Sequence, residues 1–115
     1  MDGFVIAIPK KNIERYKKMA KIGAKVWRKH GALDYRECAA EDIKVKFGTP
    51  FNKLLDTKPG ETVVFAWITF KSCAQRDKIN KKVMEDPRIQ GMCGSENAPF
   101  QMNRMSYGGF ETLVK

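Results

Sequence analysis

Apolar positions recur with two periods along the chain, and the switches between them predict the elements. Residues 3–8 (Gly-Phe-Val-Ile-Ala-Ile) read as a first strand that Pro9 stops, since proline donates no ladder hydrogen bond. From about Lys10 to His30 the period becomes helical. At about 100° per residue, Ile13, Tyr16, Met19, Ala20, Gly23, Ala24, Val26 and Trp27 share one arc, and Ile22 is the one apolar residue opposite. Gly31 supplies a C-cap. Residues 32–40 form a weaker strand with Leu33, Tyr35, Glu37 and Ala39 on one face. Residues 41–60 carry Val45, Phe47, Phe51, Leu54 and Leu55 as material to bury, with a short helical turn near 51–55, and end at the Lys58-Pro59-Gly60 turn. Residues 61–70 are the strongest strand. Ser72 opens a second helix, with Gln75 three residues on as a capping box, and the helix runs to about Glu85 before Asp86-Pro87 halts it. Residues 87–103 read as irregular. A last strand spans Arg104–Glu111, where Gly108-Gly109 suggests a bulge or a close backbone approach.

The order is β-α-β, a long connection, then β-α-β. It predicts an α+β fold of the ferredoxin-like split βαβ kind, a four-stranded antiparallel sheet with two helices on one face, as a single domain over residues 1–115. Two helices cover only one face, yet the strands are apolar on both. Val63, Phe65, Trp67 and Thr69 alternate with Val64, Ala66, Ile68 and Phe70, and Phe4, Ile6 and Ile8 with Val5 and Ala7. A second sheet from another copy is the economical cover, so a homodimer closing a dimeric α/β barrel is expected. The competing solution folds residues 41–60 and 87–103 over the open face.

Composition and charge then narrow the function classes. The longest apolar run, Val63–Ile68, is too short to cross a bilayer, and Pro9-Lys10-Lys11 follows the apolar start too soon for a signal peptide, which points to the cytoplasm and no membrane insertion. Cys38, Cys73 and Cys93 form no disulfide framework and no metal-ligand spacing with His30, so free thiols, no metal and no cofactor are expected, with Cys93 the most exposed. The net charge of +9 is local: nine of the basic residues fall between Lys10 and Lys29 against one acid, Glu14. The basic face (Lys17, Lys21, Lys25 and Arg28 among its members) is the candidate nucleic-acid surface. It lacks the interleaved aromatics of a stacking platform, because Tyr16 and Trp27 turn inward, which weighs against nucleic acid as a partner. Weak, salt-sensitive adhesion to RNA or an anionic membrane is what such a face gives.

Several segments resemble the YbaA-like bacterial proteins, domain-of-unknown-function family 1428. They are Asp2-Gly3-Phe4-Val5; Gly31-Ala32-Leu33 with Glu37-Cys38; Val63–Ile68; Arg76-Asp77 with Asn80, Lys82 and Met84; Asp86-Pro87-Arg88; Pro99-Phe100; Arg104-Met105; and Tyr107–Glu111. The likeness covers nearly the whole chain, departing mainly in residues 41–60 and in the very basic first helix. It implies the dimeric α/β-barrel group of paired ferredoxin-like subunits, which includes cofactor-free monooxygenases and haem-handling enzymes beside members without known activity, and so speaks for the fold more than for a reaction.

Candidate chemistry follows from polar groups on apolar arcs. On the second helix Cys73, Ile79, Val83 and Met84 define the arc, and Arg76, Asp77 and Asn80 fall within it. They read either as a network, Arg76 with Asp77 or Asp86, pinning the helix end against Arg88, or as the polar edge of a ligand pocket. His30, the only histidine, lies on the inner arc of the first helix, either bonded to backbone or, with Asn80, a candidate catalytic group. Trp67 and Tyr107 are core or interface aromatics, or the walls of a cavity to which Arg104 adds a fixed charge for an anionic ligand. Three functions follow. The first is a small-molecule-binding protein or cofactor-free, monooxygenase-like enzyme with an enclosed cavity; whether a reaction is catalysed is left open. The others are a non-catalytic interaction or stress-related homodimer, and a weak nucleic-acid binder.

Overall fold

The strand with the longest apolar run takes one of the two central places in the sheet. In a computed structural model of the chain, residues 1–90 and 98–115 are described; the expectation for Cys93 lies outside them. β1 (Asp2–Pro9) leads through a 3₁₀ turn at Lys10–Asn12 into α1 (Ile13–Lys29), then β2 (Asp34–Ala39), a short α2 (Phe51–Leu54), β3 (Glu61–Thr69), α3 (Cys73–Glu85), a short α4 (Pro87–Gln90), a second 3₁₀ turn at Met102–Arg104, and β4 (Met105–Gly109). The four strands form one antiparallel sheet in the order β2-β3-β1-β4. The fold is α+β, as the element pattern predicts. No helix among the described residues is long and apolar enough to cross a membrane.

Register assigns the two faces. Glu37, Ala66, Phe4 and Tyr107 lie in one row across the sheet, and Cys38, Phe65, Val5 and Ser106 in the next, on the opposite face. α1 and α3 pack on the first face. Val26, Ile79 and Val83 meet Ile68 and Phe70, while Tyr16 meets Ile6, Ile8 and Val64. Ile8, Val26 and Val83 are fully buried, each such side chain contributing ~1.5–3 kcal/mol. The result is a slab of 39 × 38 × 20 Å, one sheet and one helix layer thick.

Local signals behave as their chemistry demands in most places. Gly31 follows the helix end with φ +116°, and its N–H bonds the Arg28 carbonyl. Ser72 Oγ accepts from Gln75 N at 3.1 Å. Ile22 points out, 41% exposed.

Four expectations need correction. α3 buries only Ile79 and Val83; Met84 is half exposed, and Cys73 and Asp77 face solvent, because this helix touches its neighbours along a single i, i+4 stripe. Residues 87–90 are helical, Pro87 taking the first position of a turn for which Asp86 accepts from Arg88 N. The last strand ends at Gly109 with unbroken register instead of a bulge. A Cβ at Gly109 would collide with the Arg76 guanidinium, so the glycine serves a close approach. Finally, residues 45–54 do not bury their apolar side chains: Phe47 and Leu54 are 88% and 66% exposed. Phe51 reaches the open sheet face at Phe65, ring centroids 5.9 Å apart, and covers only part of it.

Candidate functional site: a tyrosine-clasped carboxylate

Alternation along β2 turns Tyr35 and Glu37 toward the helices, which puts a carboxylate on the core-facing side of an edge strand. α1 lies across that strand and lowers Tyr16 onto the same point. Tyr16 Oη donates to Glu37 Oε2 at 2.5 Å, and Tyr35 Oη donates to Oε1 at 2.7 Å. Tyr16 is buried; Glu37 and Tyr35 are partly so. Gly23 leaves room for the clasp, since a Cβ there would stand a tight 3.1 Å from Tyr35 Oη. Phe100 packs edge-on to Tyr16, and Trp27 against Tyr35, so both phenol rings are held from behind.

The electrostatics are unusual for a partly buried carboxylate. Among the described residues no lysine, arginine or histidine forms a salt bridge with Glu37. Burial pushes the carboxyl above its ordinary proton affinity, and the two phenol donors only partly oppose it. Burial, and then the Glu37 charge, hold both tyrosine hydroxyls well above the phenol range, so they remain protonated donors. Such a group can accept a proton from a bound molecule, while neighbouring O–H groups stabilise an oxygen that gains negative charge.

The clasp opens into a cleft of about 530 Å³ between α1 and β2. Ile13, Ala20, Ala24 and Val64 give it apolar walls, and Lys17, Lys21 and Arg28 stand along its α1 side. Arg28 Nη2 is fixed there by the Tyr35 carbonyl at 3.0 Å.

The residues singled out in the sequence are dispersed. Asn80 accepts from Trp27 Nε1 at 3.0 Å and donates to the buried Asp2 at 3.2 Å, while Arg76 pairs with Asp77 at 3.0 Å and stands 3.5 Å from Asp2. This network ties α1 and α3 to β1. His30 contacts the Asp86 side chain at 3.2 Å, where backbone was one expectation, and Asp86, held by Arg88, is not a partner of Arg76. Arg104 bonds Glu61 at 2.6 Å and the Asp56 carbonyl at 3.1 Å. Trp67 and Tyr107 line a separate open trough of about 480 Å³ with Gly3, Val5 and Phe65, and Tyr107, 71% exposed, stacks on Phe4. Of the basic-face residues, Lys17, Lys21 and Arg28 border the cleft; Lys25 is exposed outside it. The Glu37 clasp was missed, although its signal was present. A glutamate shared a core-facing strand side with Tyr35, and a buried carboxylate demands partners.

Comparison with known proteins adds the lineage. Residues 1–102 match the family described as "Protein of unknown function (DUF1428)". The chain is 39% identical over 114 residues to "Uncharacterized protein YbaA" of Escherichia coli K12, covering 99% of this chain and 96% of that one, and equally so to its counterpart in Shigella flexneri. With the resemblance of its segments thus extended to nearly the full length, the chain belongs to the DUF1428 family.

Proposed function

We propose that this protein is a homodimer of ferredoxin-like subunits that binds a small organic molecule in the cleft between α1 and β2, with Glu37 as the anchoring and proton-accepting group. One observation carries the reading: Glu37 is partly buried and, among the described residues, is held by two neutral hydroxyls and no salt-bridging cation, in the lining of a cleft sized for a ligand. Glu37 satisfies the two hydroxyls and so ties α1 to β2, but a neutral amide could accept from them as well, and what the carboxylate adds is a raised affinity for a proton. Screening a library of small metabolites by thermal shift tests the reading, because a ligand that binds only the folded state raises the melting temperature. Hits are expected to stabilise the wild type and not Glu37→Leu. No hit, or hits that stabilise both proteins equally, would overturn the site.

The dimer rests on the open sheet face. Phe65 is 40% exposed in the middle of the sheet, and the apolar trough beside it runs over Val5 and Trp67. Phe47, Leu54 and Phe110, all mostly exposed, supply further apolar surface for a second copy. Sedimentation at twice the monomer mass, reduced to the monomer by Phe65→Lys, is the expected result; a monomeric wild type refutes it.

A further inference from the structure

The α1 wall of the cleft interleaves cations with small apolar side chains. Along α1 the cations that border it, Lys17, Lys21 and Arg28, span about 16 Å of helix. Among the described residues neither Lys17 nor Lys21 is in a salt bridge, whereas Arg28 lies 4.0 Å from Asp34. Glu14, three residues before Lys17, is the one acid beside these cations on the α1 side, so free positive charge centres on Lys21. Between these cations Ala20 and Ala24, one turn apart, keep the helix wall shallow, and Val64 adds an apolar side chain from the sheet. A shallow apolar wall leaves width for a flat ring. Glu37 and its two hydroxyls complete the lining.

We propose that the cleft takes a phenolic or similarly hydroxylated aromatic carboxylate. Its acid group lies on Lys17 and Lys21, its ring against Ala20, Ala24 and Val64, and its hydroxyl on Glu37. This rests on the reading of the cleft as a ligand site and adds the class of ligand. Each part has a counterpart in the cleft: the lysines accept an anion, the alanines and Val64 take the ring, and a proton-accepting carboxylate takes the hydroxyl. A neutral apolar ligand would leave the lysines unused, and a larger polyanion would be repelled by Glu14 and Glu37.

The test compares three probes by isothermal titration: 4-hydroxyphenylacetate, phenylacetate without the hydroxyl, and 4-hydroxyphenethyl alcohol without the charge. The wild type is expected to bind the first at least about tenfold more tightly than either of the others, since each lacks one charge-assisted hydrogen bond. Lys17→Glu with Lys21→Glu, both exposed and tolerant of change, should remove the advantage of the acid and leave the neutral phenol nearly unaffected. Glu37→Gln should remove the advantage of the hydroxyl and leave phenylacetate nearly unaffected. The class is overturned if the neutral phenol binds as well as the acid, if the double lysine variant binds the acid like the wild type, or if none of the three binds. The metabolite hits and their loss in Glu37→Leu decide the cleft itself, so the two failures can be told apart.

Discussion

At the corner where α3 meets α4, Asp86 accepts from Arg88 Nε and Nη2, both at 3.1 Å, and from Arg88 N at 3.0 Å, with His30 Nε2 3.2 Å away. At the cleft between α1 and β2, Glu37 accepts, among the described residues, from two phenol hydroxyls only. Asp86 is buried and Glu37 partly so, and the directions of their proton affinities are opposite. Hydrogen bonds from Arg88 hold Asp86 well below the usual carboxylate range, whereas burial lifts Glu37 above it. The corner answers a structural need, since it joins the end of α1 to the turn after α3 and caps α4. At the clasp a neutral amide could tie α1 to β2 as well. A carboxylate that gains less from its partners than it loses in hydration keeps an appetite for a proton, and that is a property useful to a ligand rather than to the fold.

The sharpest way to break this contrast is to remove the acid at each place. Asp86→Ala leaves the Arg88 guanidinium and the first amide of α4 without their acceptor, and removes the contact to His30. Melting at pH 7 should drop by about 10 °C or more, the largest effect expected here. Asp86→Asn, which retains an acceptor for Arg88 N, should lose less. The pH dependence carries the sign. Asp86 has a lowered native pKa, so its contribution is complete above the unfolded value of about 3.9 and disappears as pH falls through the native one. If Asp86→Ala melted like the wild type at pH 7, the corner would not be the structural half of the comparison.

Glu37→Gln probes the other half with a smaller effect and the reverse slope. A raised native pKa means that the contribution of Glu37 is complete below its unfolded value of about 4.3 and is lost as pH rises through the native one. The variant should therefore match the wild type in acid and gain on it toward neutrality, by a few degrees in melting temperature. Thermal melts from pH 4 to 8 measure it. A variant that instead loses stability steadily above pH 5 would show that Glu37 is held as firmly as Asp86, and the functional argument would fall.

How far these places were legible in the sequence follows from how local their causes are. The inward arc of α1 with Tyr16 and Val26, the outward Ile22, the turn at Gly31 and the cap at Ser72 each depend on residues within a turn or two, and they fold as read. Strand β3 declared itself by composition alone. The side chains of Val45, Phe47 and Leu54 misled, because apolar character says that a surface is to be covered without saying by what. The candidate site was harder. Tyr16 and Glu37 are 21 residues apart, and Arg104 and Glu61 43 apart, so their meeting depends on the crossing of a helix over a strand and on the turn before β4 reaching past β1 to the start of β3. Periodicity assigned Tyr35 and Glu37 to one face correctly. It could not say that a tyrosine from α1 would descend on the same carboxylate.

Gly23 offers the finest test of whether the clasp is a fitted feature. Within a helix a glycine is less stable than alanine by ~0.5–1 kcal/mol, so Gly23→Ala should stabilise α1 if nothing opposes it. What opposes it is the Tyr35 hydroxyl, 3.1 Å from where the new methyl would stand, with Trp27 3.5 Å away on the other side. Tyr35 can relieve the contact only by drawing back from Glu37, to which it donates at 2.7 Å. The two terms are of similar size, and the net change in stability should stay within ~1 kcal/mol. The titration of Glu37 should nevertheless move. With one donor weakened, burial is opposed less, and the carboxyl midpoint followed by carbon-13 NMR should rise above that of the wild type, while that of Asp86 stays where it was. A variant that gains the whole helix increment and leaves the Glu37 midpoint unmoved would mean that Tyr35 has room to spare, and that the distance between the two hydroxyls is set by packing with no regard to the acid between them.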